Sequence, residues 1–295
     1  MVIKMLATDM DGTLLKNNKT LSTNNIKALK KAQEKGIEIV ICTGRPYATI
    51  KPYLKEIGFP CWVVSNNGAV IRNKEKEIIN IINIDNRAIL DLIPILEKEN
   101  IYFHGSDGCH SYIKSYRERI KVIKNYIKLK SSSHFTTWTK SLHAVFLSGA
   151  HRKVDMRKYV LSGGTFASLF IYSLEPKQLE NTKSKIKNVG GIAITSSGRE
   201  NIEILHESAS KGNALKKLSQ QLNISTNEIA AVGDNYNDLS MISIAGLGVA
   251  MENAEEEVLK SAKWRTKSNE DDGVSYLIER ILSGDLTIDQ GVESK

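Results

Sequence analysis

Short apolar runs alternate with amphipathic stretches along the first third of the chain. The runs are rich in β-branched residues and predict buried strands at Val2 to Thr8, Ile37 to Cys42 and Trp62 to Ser65. A helix is predicted after the first strand, because Ser22 or Thr23 can cap its start and Gly36 can end it in a left-handed conformation. A second helical stretch, Tyr47 to Ile57, precedes the third strand. This order predicts right-handed crossovers and a parallel sheet.

The last third of the chain has the same pattern. The predicted elements are a helix over Lys211 to Leu222, a strand over Ile229 to Val232, a helix over about Asp238 to Ile244 and a strand over Gly246 to Ala250. We therefore expect an α/β fold with a Rossmann-like parallel-sheet core, built from residues 1–83 and 207–295.

The middle of the chain has neighbouring strands instead of regular alternation. The predicted helices are Asn86 to Glu99, Tyr116 to Lys130, Arg152 to Leu161 and Glu175 to Val189. The predicted strands are Ile101 to His104, Ser111 to Ile113, His143 to Leu147, Ala167 to Tyr172, Ile192 to Thr195 and Asn201 to Leu205. Paired strands indicate an α+β unit with an antiparallel sheet, so we expect residues 84–206 to form a separate cap domain inserted into the core.

Charge, cysteine content and the length of the apolar runs limit the classes of protein to which this chain can belong. The chain has 295 residues and a formal charge of +8, and its basic residues are spread along the sequence, which favours a solvated surface. Cys42, Cys61 and Cys109 are widely spaced and odd in number, which argues against a disulfide framework or a structural zinc site. No secretory signal and no run of about 18 apolar residues is present, so we expect a cytoplasmic protein.

Polar side chains follow the ends of the predicted core strands. The segments are Asp9-Met10-Asp11-Gly12-Thr13, Thr43-Gly44-Arg45, Lys211 at a helix start, and Gly233-Asp234-Asn235-Tyr236-Asn237-Asp238. Ligands bind outside the carboxyl ends of the strands in open parallel sheets, so these distant segments are expected to converge on one site.

The residue types at that site predict Mg²⁺ and a phosphoryl group. Asp9, Asp11 and Asp234 supply hard oxygen ligands, and the motifs contain no Cys or His, which favours Mg²⁺ over Zn²⁺. Donors suited to phosphate oxygens come from Thr43, the Gly44 amide, Lys211 and Asn237.

The spacing of Asp9 and Asp11 suits two catalytic roles. A turn at Gly12 allows one carboxylate to face the phosphorus and the other to face the leaving group. Asp9 would attack as the nucleophile, and Asp11 would protonate the departing oxygen and then deprotonate the hydrolytic water. These roles require that one carboxyl be ionised while the other carries a proton.

The four ordered motifs resemble those of the haloacid dehalogenase superfamily, and more narrowly its Cof-type phosphatases. Ser65-Asn66-Asn67-Gly68-Ala69 is similar to that subgroup's Asn-Gly-Ala turn. The resemblance implies that Asp9 is the nucleophile and a magnesium ligand, and that Asp11 binds magnesium through its backbone carbonyl. It also implies that Asp234 is the remaining ligand, with Asp238 a possible supporting partner.

The position of the inserted domain separates subgroups of that superfamily. Only 30 positions separate Thr13 from Thr43, and the predicted helix and strand already fill them, whereas 168 positions separate Thr43 from Lys211. A cap between the second and third motifs is similar to the Cof-type arrangement. The resemblance implies substrates such as sugar phosphates, or phosphorylated cofactors such as pyridoxal phosphate or flavin mononucleotide.

The sequence leaves several alternative functions open. A phosphotransferase or mutase could use the same phospho-aspartate. The alternative outside the enzymes is a binding protein, either a nucleic-acid binder or a phosphate sensor whose site has lost its activity.

Some residues near the motifs and in the predicted cap have more than one possible role. Arg45 could touch substrate or pair with an acid. The basic helix Tyr116 to Lys130 is expected to be solvated, with attraction of anionic substrates as the sharper hypothesis. The histidines of the predicted cap, which are His104, His110, His134 and His143, lack metal-ligand spacing and are expected at the surface or against substrate.

Overall fold

The computed structural model describes residues 2–130 and 151–285, with side chains described up to residue 125 in the first range. The strands are β1 (Met5–Thr8), β2 (Glu38–Cys42), β3 (Trp62–Ser65), β4 (Val70–Arg72), β5 (Ile78–Ile81), β6 (Tyr102–Ser106), β7 (Ser111–Ile113), β8 (His151–Lys153), β9 (Ser168–Tyr172), β10 (Ile192–Thr195), β11 (Asn201–His206), β12 (Ile229–Gly233), β13 (Leu247–Ala250) and β14 (Trp264–Arg265). The α-helices are α1 (Thr23–Glu34), α2 (Tyr47–Ile57), α3 (Asn86–Lys98), α4 (Tyr116–Lys130), α5 (Met156–Leu161), α6 (Pro176–Ile186), α7 (Lys211–Gln221), α8 (Leu239–Ile244), α9 (Glu256–Ser261) and α10 (Gly273–Ser283). Within the described ranges these strands form two sheets.

The larger sheet contains eight strands of the described chain, in the order β14-β13-β12-β1-β2-β3-β4-β5. Pairing is parallel from β14 to β3, which confirms the parallel sheet predicted from the alternation of strands and helices. The strands β4 and β5 extend it as an antiparallel edge. This edge was not predicted from the sequence, because its strands are short and carry no regular alternation.

Both faces of the larger sheet are covered by helices. Successive residues of a strand point to opposite faces, so Leu6 and Ile39 pack on one side while Met5 and Val40 pack on the other. The first side is closed by apolar residues of α1, α2 and α10. The second side is closed by apolar residues of α7, α8 and α9. Because the core strands are buried on both faces, their sequences are continuous apolar runs and do not alternate between apolar and polar residues.

The predicted ends of α1 are confirmed by its capping contacts. The Ser22 hydroxyl accepts a hydrogen bond of 3.0 Å from the amide of Asn25 at the start of the helix. Gly36 follows the helix with φ +82°, and a Cβ there would meet no atom within 4 Å. The Cβ-free backbone is therefore needed for the turn itself and not for a close contact.

The smaller sheet contains six strands of the described chain, in the order β10-β11-β9-β6-β7-β8. Its pairs are antiparallel, as predicted, except for the parallel pair β7 and β8. Apolar residues of α3, α5 and α6 pack on one face of this sheet.

One helix prediction in the middle of the chain is wrong at its start. Arg152 and Lys153 were expected in a helix running to Leu161, but they lie in β8 and pair in parallel with β7. The helix begins only at Met156, after Asp155 accepts a hydrogen bond from the amide of Lys158. Asp155 is a good capping residue, so the local start signal was present. The strand predicted over His143 to Leu147 lies outside the described residues.

Within the described ranges, no helix combines the length and the apolar character that crossing a membrane would require. Cys42, Cys61 and Cys109 are all free, and the first two are buried.

Candidate functional site

The predicted motif segments converge at one edge of the larger sheet. Strand β1 lies between β12 and β2 and is parallel to both, so Asp9, Thr43 and Asp234 follow the carboxyl ends of three adjacent strands. The amide of Asp9 donates to the carbonyl of Val232, which ties the end of β1 to β12. The site is therefore built by strand order, as expected for an open parallel sheet.

Three carboxylates form a tight cluster at this edge. Asp9, Asp234 and Asp238 each offer an oxygen atom, and these atoms lie within 4.8 Å of one another. The Thr13 hydroxyl donates to Asp234 at 2.7 Å. The two oxygens of Asp238 accept from the Lys211 ammonium and from the amides of Asp234 and Asn235, so Asp238 is held rigidly.

Lys211 is the cation within this acidic cluster. Its side chain is fully buried, and its ammonium donates to Asp9 and Asp238 at 2.6 Å each. Helix α7 begins at Lys211, and the Ser210 hydroxyl caps that start by accepting from the amide of Asn213. The helix start therefore aims a positive charge at the nucleophile candidate.

One lysine does not neutralise three buried carboxylates. Burial, reinforced by the neighbouring Asp238 and Asp11, raises the pKa of Asp9 to about 7 although Lys211 opposes the shift. Burial and the charge of Asp9 raise the pKa of Asp234 well above its ordinary value. A group of hard oxygen donors with this excess of negative charge fits a divalent cation such as Mg²⁺.

Gly12 lets the chain pass beside Asp234. It has φ +84°, and a Cβ on it would lie 2.3 Å from the Oδ2 atom of Asp234. A side chain would therefore collide with the acidic cluster in a backbone conformation that already favours glycine.

Asp11 points away from the acidic cluster in this structure. Its carboxylate accepts from the Arg45 guanidinium at 2.5 and 2.7 Å and from the Lys19 ammonium at 2.5 Å. Of the two roles left open for Arg45, the structure shows the pairing with an acid. The Arg45 guanidinium also lies over the ring of Tyr53, 5.2 Å from its centroid.

The protonation preferences of Asp9 and Asp11 run opposite to their expected roles. Partial burial would raise the pKa of Asp11, but Arg45 and Lys19 outweigh it and hold that pKa well below its usual range. The pKa of Asp9, the expected nucleophile, is raised. A general acid in the position of Asp11 must therefore be freed from its two cations before it can carry a proton.

The expected phosphate-binding residues surround a short loop after β2. Thr43 is buried, and its hydroxyl accepts from the amide of Arg45 at 3.1 Å. The side-chain amide of Asn237 donates to the Oδ1 atom of Asn67 at 2.9 Å, while no described residue hydrogen-bonds its own oxygen. A Cβ on Gly44 would lie 3.1 Å from that Oδ1 atom, so the loop passes directly beside Asn67.

A carboxylate from the smaller sheet reaches this loop. Glu203, in β11, is buried and accepts from the Asn67 amide at 2.5 Å and from the Ser197 hydroxyl at 2.5 Å. Burial raises its pKa although Ser197 and Lys211 oppose the shift. A connected set of hydrogen bonds therefore links the smaller sheet, through Asn67, to Asn237.

The sequence model of the haloacid dehalogenase-like hydrolases matches residues 6–278, which is most of the chain and includes all four motif segments. The chain belongs to the haloacid dehalogenase-like hydrolase family.

Relatives within this family are phosphatases by name. The chain is 31% identical over 285 residues to "Phosphatase YwpJ" of Bacillus subtilis (strain 168), covering 95% of this chain and 100% of the relative. It is 33% identical over 287 residues to "5-amino-6-(5-phospho-D-ribitylamino)uracil phosphatase YwtE" of the same strain, covering 96% and 99%. A solved haloacid dehalogenase-like hydrolase from B. subtilis superposes with a TM-score of 0.84 at 31% identity, covering 94% and 99%. The protein is a phosphatase of this family.

Four residues of the site were not predicted to act in it. Lys19 and Glu203 carried no motif signal, because each is one charged residue in an ordinary loop or strand. Asn66 and Asn67 were noted only as parts of a turn, yet both have positive φ and side chains that reach the smaller sheet. An Asn-Asn-Gly sequence after a core strand was the available signal.

Proposed function

We propose that the protein is a magnesium-dependent hydrolase of phosphomonoesters that acts on small phosphorylated metabolites through an aspartyl-phosphate on Asp9. One observation carries this proposal. Asp9 follows the central strand, contacts the buried ammonium of Lys211 at 2.6 Å and shares with Asp234 and Asp238 a cluster of oxygens within 4.8 Å.

In the first step, an oxygen of Asp9 attacks the phosphorus while the bond from phosphorus to the leaving oxygen breaks. Lys211, the Thr43 hydroxyl, the Gly44 amide and the Asn237 amide hold the phosphoryl oxygens. The buried positions of Lys211, Thr43 and Asn237 support the assignment, because a hydrogen bond to an anion is stronger where water is excluded.

Asp11 serves as the acid and base in both steps. It gives a proton to the leaving oxygen and then takes one from the water that cleaves the aspartyl-phosphate. The ammonium of Lys19 and the guanidinium of Arg45 both hold its carboxylate. Entry of the substrate has to redirect Asp11 away from them.

The metal site consists of the carboxylates of Asp9 and Asp234 and the backbone carbonyl of Asp11, with Asp238 as a supporting partner. When bound, Mg²⁺ would neutralise the acidic cluster and polarise the phosphoryl group. The hydrogen bonds of Asp238 to two amides and Lys211 support its role in positioning the loop rather than as a ligand.

Residues 84–206 are proposed to act as a cap over the core formed by residues 1–83 and 207–295. Asn66 donates to the hydroxyls of Ser106 and Ser168 at 2.8 and 2.9 Å, and Asn67 donates to Glu203. These contacts support a closed arrangement in which the smaller sheet excludes water from the phosphoryl site.

The proposal is tested by two measurements, which are turnover and the Tm with and without Mg²⁺. The second does not depend on turnover. Wild-type protein with Mg²⁺ is expected to release inorganic phosphate from p-nitrophenyl phosphate, and Asp9→Asn is expected to remove this release without unfolding the protein. Mg²⁺ should raise the Tm of wild type and not that of Asp234→Asn.

Two results would contradict the proposal. Substantial turnover by Asp9→Asn would exclude the covalent step, and an unchanged Tm of wild type with Mg²⁺ would exclude the metal site. Transfer of phosphate to a second metabolite in place of water would instead favour the hypothesis that the protein is a phosphotransferase.

A further inference from the structure

A loop of the smaller sheet lies against the core at the start of helix α2. This loop, residues 107–110, joins β6 to β7, and we call it the docking loop. Gly108 of this loop has φ +86°, and a Cβ on it would lie 2.7 Å from the Cγ2 atom of Val70 in β4. The docking loop therefore touches β4 through its backbone, at a position that favours glycine.

Helix α2 begins without a side-chain cap of its own. Its N-cap residue Pro46 makes no side-chain hydrogen bond, whereas α1 and α7 each begin with a serine whose hydroxyl accepts from an amide of the helix. The amide of Tyr47 donates instead to the carbonyl of Gly108, at 3.4 Å. The amide of Ala48 donates to the carbonyl of Cys109, at 3.3 Å. Two of the four amides that a helix start leaves free are therefore satisfied by the docking loop.

A buried arginine of the core holds the same junction. Arg72, at the end of β4, is 5% exposed, and its Nη2 atom donates to the Sγ atom of Cys109 at 2.8 Å. Its guanidinium also lies over the ring of Tyr47, 4.2 Å from the ring centroid. One side chain of the larger sheet thus contacts both the docking loop and the first residue of α2.

Asp107 gives the docking loop its shape. The Oδ1 atom of Asp107 accepts from the amides of Cys109 and His110, at 2.7 Å each. Its Oδ2 atom accepts from the hydroxyl of Tyr112 at 2.9 Å, which ties the loop to β7. This carboxylate therefore folds the loop back on itself, and the carbonyls of Gly108 and Cys109 are left to accept from α2.

The start of α2 continues directly from the proposed phosphate-binding segment. Thr43, Gly44 and Arg45 stand immediately before the helix and its N-cap residue. The Thr43 hydroxyl accepts from the amide of Arg45, and the Arg45 guanidinium lies over the ring of Tyr53 in α2. A shift of the helix start would therefore move the Thr43 hydroxyl and the Gly44 amide, and donors displaced by even a small distance lose much of their effect on a bound group.

We propose that Asp107 is a positioning residue of this phosphatase. By shaping the docking loop it holds the start of α2, and through α2 it keeps the Thr43 hydroxyl and the Gly44 amide in place for the phosphoryl oxygens. In this role Asp107 acts through the loop and not by contact with the substrate. The inference rests on the proposed function, because it takes these two groups as phosphate donors.

The first experiment measures the KM for p-nitrophenyl phosphate and the Ki of inorganic phosphate. Asp107→Ala is expected to raise both about fivefold with little change in kcat, which corresponds to ~1 kcal/mol, the usual value of a lost helix cap. Asp107→Asn keeps an oxygen that accepts from the two amides and should restore most of the affinity. Gly108→Ala should have the same effect as Asp107→Ala by a second route, because its Cβ would push the loop away from Val70.

Asp155→Ala is the matched control. Asp155 also belongs to the proposed cap, and its carboxylate accepts from the amide of Lys158 at 3.0 Å, but it caps α5 and not α2. It should lose similar stability in urea unfolding while keeping the KM and the Ki of wild type. Equal increases of Ki in Asp107→Ala and Asp155→Ala would overturn the proposal, because lost stability alone would then explain the effect.

Hydrogen exchange of the Tyr47 and Ala48 amides gives a readout that does not need turnover. Both amides are expected to exchange about fivefold faster in Asp107→Ala and at the wild-type rate in Asp155→Ala. Wild-type exchange in Asp107→Ala, or faster exchange with unchanged affinity for phosphate, would overturn the positioning role.

Failure of the proposed function would be distinguishable. If no phosphate ester is turned over, the Kd of inorganic phosphate measured by calorimetry replaces its Ki. A Kd raised about fivefold by Asp107→Ala, and not by Asp155→Ala, would support the positioning role without catalysis. A wild type that neither hydrolyses phosphate esters nor binds phosphate would overturn both proposals.

Discussion

At the scale of single residues, the site depends on groups that are forced into close contact. The acidic cluster holds three carboxylates around one buried ammonium, and Gly12 passes beside Asp234 because it has no Cβ. By contrast, the buried thiol of Cys42 takes no part, since burial raises its pKa to about 12 and keeps it protonated. Cys42 therefore behaves as a small apolar residue of the core.

Gly12→Ala is expected to damage the metal site specifically. The new Cβ would lie 2.3 Å from Asp234, so the carboxylate must move, and kcat/KM should fall at least about 100-fold with weaker Mg²⁺ activation. The φ of +84° adds a stability cost of about 1–3 kcal/mol.

Gly36→Ala is the control for Gly12→Ala, because it imposes the same kind of strain at φ +82° with no atom within 4 Å. It should lose similar stability in urea unfolding while keeping the Mg²⁺ dependence of turnover. Equal Mg²⁺ dependence in both variants would show that the contact with Asp234 is unimportant.

At the scale of elements, the start of one helix places a residue of the candidate site. Helix α7 opens with Lys211, and its cap residue Ser210 accepts from the amide of Asn213 at 3.0 Å. The cap of α1 is chemically the same, since Ser22 accepts from the amide of Asn25 at 3.0 Å. Only the first of these two helix starts carries a residue of the site.

Ser210→Ala and Ser22→Ala are therefore expected to separate stability from function. Each should lower the free energy of unfolding by about 1 kcal/mol, because a helix-capping hydrogen bond is lost. Ser210→Ala should also lower kcat/KM several-fold by loosening Lys211, whereas Ser22→Ala should not. Chemical unfolding and steady-state kinetics on both variants measure this, and a loss of kcat/KM shared by both would contradict the assignment.

The basic helix α4 is another element, and the exposure of its charged side chains bears on its predicted role. Lys121 and Lys124 are exposed, as expected for a solvated face, whereas the partly buried Arg119 donates to a ring nitrogen of His151 at 3.1 Å. The side chains of Ile127, Lys128 and Lys130, like His134 and His143, lie outside the described residues. Attraction of anionic substrates by this helix stays a prediction.

At the scale of the whole molecule, residues of the two sheets meet at the candidate site. Glu203 of the smaller sheet holds the Asn67 amide, and Asn67 in turn accepts from Asn237. Strand β11 of the smaller sheet thereby orients Asn237, a proposed phosphate-binding residue, in the core. Closure of the proposed cap and affinity for phosphate are therefore expected to be coupled.

Glu203→Ala tests this coupling. Of the two hydrogen bonds lost, the one from Asn67 is worth about 0.5–1.5 kcal/mol, and its loss frees Asn67 and Asn237, so KM should rise about three- to tenfold with a smaller change in kcat. Glu203→Gln still accepts from Asn67 through its amide oxygen and should restore most of the affinity. Steady-state kinetics and inhibition by inorganic phosphate give the readout, and an equal KM in wild type and Glu203→Ala would refute the coupling.

The sequence by itself determined the features that depend on neighbouring residues. Apolar runs predicted β1, β2 and β3, capping residues predicted the ends of α1, and polar residues at strand ends predicted that Asp9, Thr43 and Asp234 would meet. Parallel order makes that meeting unavoidable, because the carboxyl ends of adjacent strands lie at one edge.

The tertiary structure alone decided which charged groups pair and how the two sheets meet. Asp11 binds Arg45 and Lys19, and Glu203 reaches Asn67 from 136 positions away. The spacing of apolar and polar residues along the chain does not predict such contacts. Each contact depends on where separate elements place a single side chain. The edge strands β4 and β5 were missed for a similar reason: short strands are stabilised by the sheet that they join and carry little signal of their own.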